Sequence, residues 1–266
     1  MNNVNTAQIL LLDIGNTRTK WCLIDANAPS FEIPLCKVQG AIPHKQNQIP
    51  DLPNSGRAPI AIICACVSST KNELAWKSAC ENAWGQTPWH KFESSAQALG
   101  IINAYAQGSD LGVDRWAAIL GAKELAPLEE VLIVNAGTAT TFDHLKSDGQ
   151  HMGGWIIPGL EMMITSLASG TAGLPRVGTE DLPPPTSSGS FGKSTQDCIQ
   201  MGCLQTQIGA VVLAAQNNSG ISKIILSGGN AALLEQSLHQ LQHLPPILHD
   251  PHLVLRGLYA WWKKTS

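Results

Sequence analysis

The sequence predicts an α/β fold built on a duplicated strand–glycine phosphate loop, and three observations carry that expectation. One short pattern occurs twice, as Ile9-Leu10-Leu11-Leu12-Asp13-Ile14-Gly15-Asn16-Thr17 and as Val131-Leu132-Ile133-Val134-Asn135-Ala136-Gly137-Thr138-Ala139-Thr140-Thr141. Each copy is an apolar run of strand length, then an acid or its amide, a spacer, a glycine and small hydroxyl or amide residues. Strand-like and helix-like runs alternate in both halves, as α/β architectures require. The chain has 266 residues, 44% hydrophobic and 14% charged, which suits one large globular domain or two modest ones. A buried strand ending in such a loop can turn backbone N–H groups and hydroxyls toward an anion, with glycine permitting close approach. Two such loops suggest a polyphosphate gripped between two halves of the chain, and hence phosphoryl transfer.

The elements follow in order. Lys20-Trp21-Cys22-Leu23-Ile24-Asp25 reads as the hairpin partner of the first apolar strand. Residues 41–58, rich in Pro, Asn, Gln and Gly, read as a loop between edge elements. Ile60 to Val67 reads as a buried strand, and Cys64 and Cys66 within it as core residues rather than a metal or redox pair. Residues 71–84 carry Leu74, Trp76, Ala79, Cys80 and Trp84 at helical spacing; Trp116, Ile119, Leu120 and Leu125 make a second apolar helical stripe. Thr140 to Leu145 pairs with the second apolar strand, and Asp148-Gly149 supplies a turn. Gly153 to Gly159 is a strand bracketed by glycines, followed by a helix from Leu160 to Leu167. Residues 176–193, with Pro183-Pro184-Pro185, read as a long exposed loop, of the kind that is a lid, a binding loop or disordered. A helix from Ser194 to about Gln216 follows, with Cys198, Met201, Leu204, Ile208, Val211 and Ala215 on one face. Ile224 to Asn230 is a third strand–glycine junction, and Leu253 to Trp262 is an apolar C-terminal stretch.

Composition excludes several classes. The net charge of −3, with no basic stripe, argues against a nucleic-acid partner. No apolar run approaches the roughly 20 residues of a membrane span. Met1 to Ala7 is polar and lacks the basic region of a secretory signal, and seven cysteines without regular spacing do not make a disulfide framework. The eight histidines show no zinc-ligand spacing. The chain therefore reads as cytoplasmic.

Four groups of residues carry candidate chemistry. Asp13, at the tip of a strand, suits a Mg²⁺-linked carboxylate, because Mg²⁺ takes one or two carboxylates together with phosphate oxygens. Gly15 to Thr17 would contact phosphate; Arg18 and Lys20, close by on a strand, either offset its charge or face solvent. Gly137 to Thr141 would hold the other side. Ser227-Gly228-Gly229-Asn230 lacks the spacing of a dinucleotide fingerprint and is either close to a nucleoside or a tight turn. In Leu111-Gly112-Val113-Asp114-Arg115-Trp116 an acid and an arginine open a helix. Asp114 is either a residue complementing the helix dipole or a base accepting a proton from an attacking hydroxyl. Arg115 would then bind a substrate carboxylate through its planar fork.

With these residues in place, the chain resembles the type III pantothenate kinases of the acetate kinase and actin superfamily. The resemblance rests on Asp13 to Thr17, Gly112 to Arg115, Gly137 to Thr141, Gly153 to Gly159, Gly170-Thr171-Ala172-Gly173-Leu174-Pro175 and Gly192-Lys193-Ser194-Thr195, in that order. It implies two ribonuclease-H-like (actin-like ATPase) domains, taken as residues 1–120 and 121–266, a homodimer, and ATP-dependent phosphorylation of pantothenate, the first step toward coenzyme A. It implies Asp114 as general base, and ATP contacts from Asp13, Ile14, Gly15, Asn16, Thr17, Arg18, Thr19, Lys20 and Thr138. Pantothenate contacts would come from Tyr105, Gly112, Val113, Asp114, Arg115 and Thr195. Mg²⁺ would accompany ATP, and a monovalent cation, K⁺ or NH₄⁺, would bind at position 135.

The sequence departs from the family pattern at that position, where Asn135 stands in place of the usual Asp. The amide keeps a carbonyl oxygen but removes a negative charge, so cation affinity is expected to fall. Two other functions share these motifs: a nucleotide-binding regulator without turnover, and a kinase for another acceptor such as a sugar. The retained Asp13, Asp114 and Arg115 argue against the regulator, and Tyr105, Gly112–Arg115 and Thr195 distinguish the acceptor.

Overall fold

The computed structural model describes residues 7–32, 36–44, 52, 57–179 and 191–266. The chain forms two compact units, Met1–Leu125 with His252–Ser266, and Ala126–Pro251. The first unit holds β1 (Gln8–Ile14), β2 (Arg18–Asp25), β3 (Cys36–Pro43), β4 (Ala61–Cys66), α1 (Thr70–Trp84), β5 (Trp89–Lys91), β6 (Gln97–Ala98), β7 (Ile101–Ile102) and α2 (Val113–Leu125). The second holds β8 (Val131–Ala136), β9 (Ala139–Leu145), β10 (His151–Pro158), α3 (Leu160–Gly170), α4 (Thr195–Gln216), β11 (Lys223–Ser227), α5 (Ala231–Leu238) and β12 (Ile247–His249). The last helix, α6 (Leu253–Thr265), belongs to the first unit.

The two main sheets have one topology. In the first the order is β3-β2-β1-β4-β5, and in the second β10-β9-β8-β11-β12. In each, the first three strands form an antiparallel meander and the last two run parallel to the first. This is the ribonuclease-H-like arrangement, and it occurs in both units. The central strands β1 and β8 read as continuous apolar runs because both faces are covered. In the first unit Leu10, Leu12 and Ile14 pack with Trp76 and Cys80 of α1. Ile9 and Leu11 point the other way, toward the face that α2 and α6 cover.

Helices α2 and α6 cross through glycine. A Cβ on Gly257 would collide with the Ala117 carbonyl, and one on Gly121 with the Leu253 carbonyl. The backbones therefore touch where no side chain fits. Tyr259 and Arg256 then tie α6 to the chain after β2: the Tyr259 hydroxyl donates to the Ala28 carbonyl at 2.6 Å and Arg256 Nη1 to the Phe31 carbonyl at 2.5 Å.

These contacts correct the expected division at residue 120. The domain ends at Leu125, and the C-terminal stretch joins the first unit because its apolar face finds its partner in α2 and the first sheet. The expected loop at 41–58 is also shortened, since Ala41 to Pro43 continue β3 against Arg18 to Lys20. Residues 45–51 and 53–56 lie outside the described residues, as do 180–190 of the long loop with Pro183–Pro185. On α1, Leu74 is exposed rather than part of the apolar face, as is Cys198 on α4.

Against the expectation that no run approaches a membrane span, α4 is long and apolar enough to be one by composition, although more than half of its apolar window is buried in the second unit. Two glutamines show its role as a core helix. Gln207 Nε2 donates to the Pro158 carbonyl at 2.8 Å and Gln200 Nε2 to the Gly178 carbonyl at 3.0 Å.

Candidate active site

The first glycine loop caps β1. Gly15 N–H donates to the Arg18 carbonyl at 3.1 Å, and a Cβ at Gly15 would lie 3.1 Å from that same oxygen. The tight turn leaves Asn16, Thr17 and Arg18 exposed at the tip, with Asp13 and Lys20 half-buried behind them and Thr19 buried. Ile14 is a core residue, and its carbonyl accepts from Val67 N–H. Asp13 and Lys20 are cross-strand partners. Protein crowded around the Asp13 carboxyl raises its pKa to about 7; Lys20 opposes that rise, and the charge of Asp114 adds to it.

For its charge to act on Asp13, Asp114 at the start of α2 must lie near the tip of β1. Two neighbouring carboxylates in a crowded site disfavour each other's charge, and a divalent cation removes the conflict. Among the described residues no group of three or more His, Cys, Asp or Glu side chains is placed to hold a metal. A site with few protein ligands, completed by phosphate oxygens and water, is how Mg²⁺ binds with nucleotides. The residues present fit Mg²⁺ carried in with ATP.

The α2 start is a compact polar unit. Trp116 N–H donates to the Gly112 carbonyl at 2.9 Å, closing the first helical turn, and Arg115 N–H donates to Asp114 Oδ1 at 2.8 Å. A Cβ at Gly112 would come within 2.9 Å of Asp114 Oδ1, so glycine leaves that carboxylate its room. Val113 is half-buried beside it. Arg115 is only 4% exposed. Its Nη1 donates to the Tyr105 hydroxyl at 2.9 Å, and its guanidinium stands 5.8 Å from the centre of the Tyr105 ring. A buried guanidinium fixed by a phenol presents a directed fork for a carboxylate.

The second unit carries the other glycine loop. Gly137 N–H donates to the Ala139 carbonyl at 3.1 Å, and Thr138 is exposed at the tip. Two further glycines enclose this loop. Gly159 N–H donates to the Thr138 carbonyl at 3.0 Å, and any Cβ there would collide with the Gly137 and Thr138 carbonyls. Gly228, at φ 98°, would place a Cβ 2.5 Å from the Ala136 carbonyl. The third junction is thus a turn packed against the second loop. Asn135 is half-buried between Thr141 on β9 and Ser227 on β11. Thr195 is the first residue of α4 and exposed; Ser194 before it caps the helix by accepting from Asp197 N–H at 3.1 Å.

The first unit therefore brings together Asp13, Gly15–Lys20, Tyr105 and Gly112–Arg115, while Asn135, Thr138 and Thr195 belong to the second. His44, which follows β3, was not legible in the sequence. Its ring contacts Thr19 Oγ1 at 2.8 Å and the Asn16 carbonyl at 3.2 Å, and its N–H donates to the Thr17 carbonyl at 2.9 Å. It braces the first glycine loop from a stretch that reads as a plain connector. Cys64 is buried, and burial pushes its thiol above the ordinary range, as it does for half-buried Cys66; both are protonated, inert core groups.

The model of the family described as type III pantothenate kinase matches residues 9–217. The chain is a member of this family. It is 36% identical over 260 residues to the type III pantothenate kinase of Halorhodospira halophila, covering 95% of this chain and 96% of the relative. To that of Colwellia psychrerythraea it is 33% identical over 261 residues, covering 95% and 99%. Among solved structures it is similar to a Baf family protein from Campylobacter jejuni, with TM-score 0.57, 19% identity and coverage of 96% and 98%. It is also similar to the inorganic polyphosphate/ATP-glucomannokinase of Arthrobacter sp. strain KM, with TM-score 0.50, 11% identity and coverage of 98% and 100%. These structural likenesses support the fold, two ribonuclease-H-like domains. The pantothenate kinase relatives match nearly end to end, so both glycine loops and the Asp114 region lie inside the shared length.

Proposed function

We propose that this type III pantothenate kinase transfers the γ-phosphoryl group of ATP to the 4′-hydroxyl of pantothenate, with Asp114 as general base. The observation that carries the reading is the position of Asp114: at the first turn of α2, close enough to Asp13 to raise its pKa, and next to the buried Arg115–Tyr105 pair. Mg²⁺, when bound with ATP, would supply charge neutralisation on the transferring phosphoryl group. Asp13 holds that cation, directly or through water, and Gly15 to Lys20 and Thr138 contact the phosphates through N–H groups, hydroxyls and Lys20. Arg115 binds the pantothenate carboxylate, with Tyr105, Gly112, Val113 and Thr195 completing the acceptor contacts. Asp114 accepts the hydroxyl proton as the oxygen attacks phosphorus, and ADP leaves.

Asn135 is the ligand offered to a monovalent cation, K⁺ or NH₄⁺, with one charge fewer than a carboxylate would give. The protein works as a cytoplasmic homodimer. Support for the dimer comes from the second unit, where the sheet-edge strand β10 exposes Met152, Trp155 and Ile156, and α3 exposes Met162. The direct test is ADP release in the presence of Mg²⁺-ATP with pantothenate or with glucose as acceptor. Release that requires pantothenate supports the assignment; release only with the sugar, or none with either, rejects it.

A further inference from the structure

Tyr105 lies on a short loop between β7 and α2, with no regular element of its own to fix it. A buried side chain, Asn103, which is 7% exposed, helps to hold the loop. The preceding hairpin, β6 to β7, turns through Leu99 at φ 51° and Gly100 at φ 76°. Asn103 N–H extends its ladder by donating to the Ala96 carbonyl at 2.9 Å. The Asn103 amide then works in three directions. Nδ2 donates to the Ser95 and Gly108 carbonyls, each at 3.1 Å, and Oδ1 accepts from Tyr105 N–H at 3.0 Å. Gly108 packs so closely on the Ser95–Ala96 backbone before the hairpin that a Cβ would lie 2.5 Å from Ala96 N. Residues 103–108 are thereby closed into one piece, and Tyr105 leaves it to meet Arg115.

We infer that Asn103 is a positioning residue of the acceptor site, acting on pantothenate through Tyr105 and Arg115; this rests on the proposed role of those two residues. The chemistry requires an amide. Two carbonyls need donors and one N–H needs an acceptor, and of near-isosteric side chains only Asn offers both. Aspartate would keep the acceptor and set a carboxylate against two carbonyl oxygens. The loss of oriented hydrogen bonds that fix a side chain contacting substrate should appear in binding of that substrate alone.

The test compares Asn103→Asp, Asn103→Ala and Gly108→Ala with the wild type in steady-state kinetics, and follows amide hydrogen exchange of residues 103–110. The role predicts a KM for pantothenate raised about tenfold or more and a KM for ATP within about twofold of wild type. It also predicts faster exchange at the Tyr105 amide, and a smaller effect of Asn103→Asp on a Tyr105→Phe background, since both act through one contact. Unchanged pantothenate KM with only a lower Tm or kcat would reduce Asn103 to a fold-stabilising residue and overturn the inference. If Asn103→Ala does not fold, the aspartate and Gly108 variants decide by the same readings. Wild type that binds ATP but never turns over pantothenate would contradict the kinase reading itself and take this role with it.

Discussion

The Asp13 carboxyl stands between opposing influences: the protein packed around it and the nearby Asp114 raise its pKa to about 7, and Lys20 lowers it. In the unfolded chain it would titrate near its ordinary 3.8. Between those values the folded state holds the extra proton, so the contribution to stability is present at low pH and lost as pH rises through about 7. Above that pH a carboxylate that Lys20 compensates only in part destabilises the unliganded protein. Asp13→Asn should therefore raise stability at pH 8 by on the order of 1–3 kcal/mol, seen as a higher Tm, while abolishing Mg²⁺-dependent ATP binding. An unaltered or lower Tm would contradict the electrostatic account. For the same reason Mg²⁺-ATP affinity of the wild type should weaken as pH falls below about 7. Asn135 gives the complementary case, a charge withheld. Asn135→Asp is expected to lower the K⁺ concentration for half-maximal activity; an equal or weaker K⁺ response would show that the amide is not the cation's ligand.

At the level of elements, the crossing of α2 and α6 is the most demanding contact in the first unit. Gly257→Ala places a methyl group against the Ala117 carbonyl and must push the helices apart. A loss of about 2–4 kcal/mol in urea unfolding is expected, with the midpoint lowered; wild-type stability would mean the helices can separate at little cost. None of this was legible locally. The stretch from Leu253 to Trp262 reads as apolar, but its partner lies more than a hundred residues away in sequence, and nothing in it says which unit it completes. The strand–glycine loops were legible because a run buried on both faces must be apolar throughout and must stop where the chain turns. Strand β3 was not: Cys36 to Pro43 has little alternation, and pairing with β2 rather than its own pattern makes it a strand. Asp114 and Arg115 could be picked out as an acid and a cation opening a helix. Asn103 and His44 could not, because their value lies in carbonyls and loops that only the fold brings near.

The whole molecule repeats one five-stranded topology, and each copy ends its central strand in a glycine loop. The first copy adds the acid pair and the Tyr105–Arg115 fork; the second adds Thr138 and a loop walled by Gly159 and Gly228. The exposed apolar residues of β10 and α3 belong to the second copy. If that face joins two chains, Ile156→Glu should shift sedimentation from dimer to monomer, whereas a wild type that sediments as a monomer would remove the dimer from the account. The central claim is that Asp114 is the base that takes the pantothenate proton. It is tested most directly by the kcat for pantothenate phosphorylation by Asp114→Asn, measured beside ATP affinity. The account predicts a kcat lowered by about 10²-fold or more with ATP still bound. A kcat within a few fold of wild type would leave Asp114 as a residue that only complements its helix, and the base would have to be sought elsewhere.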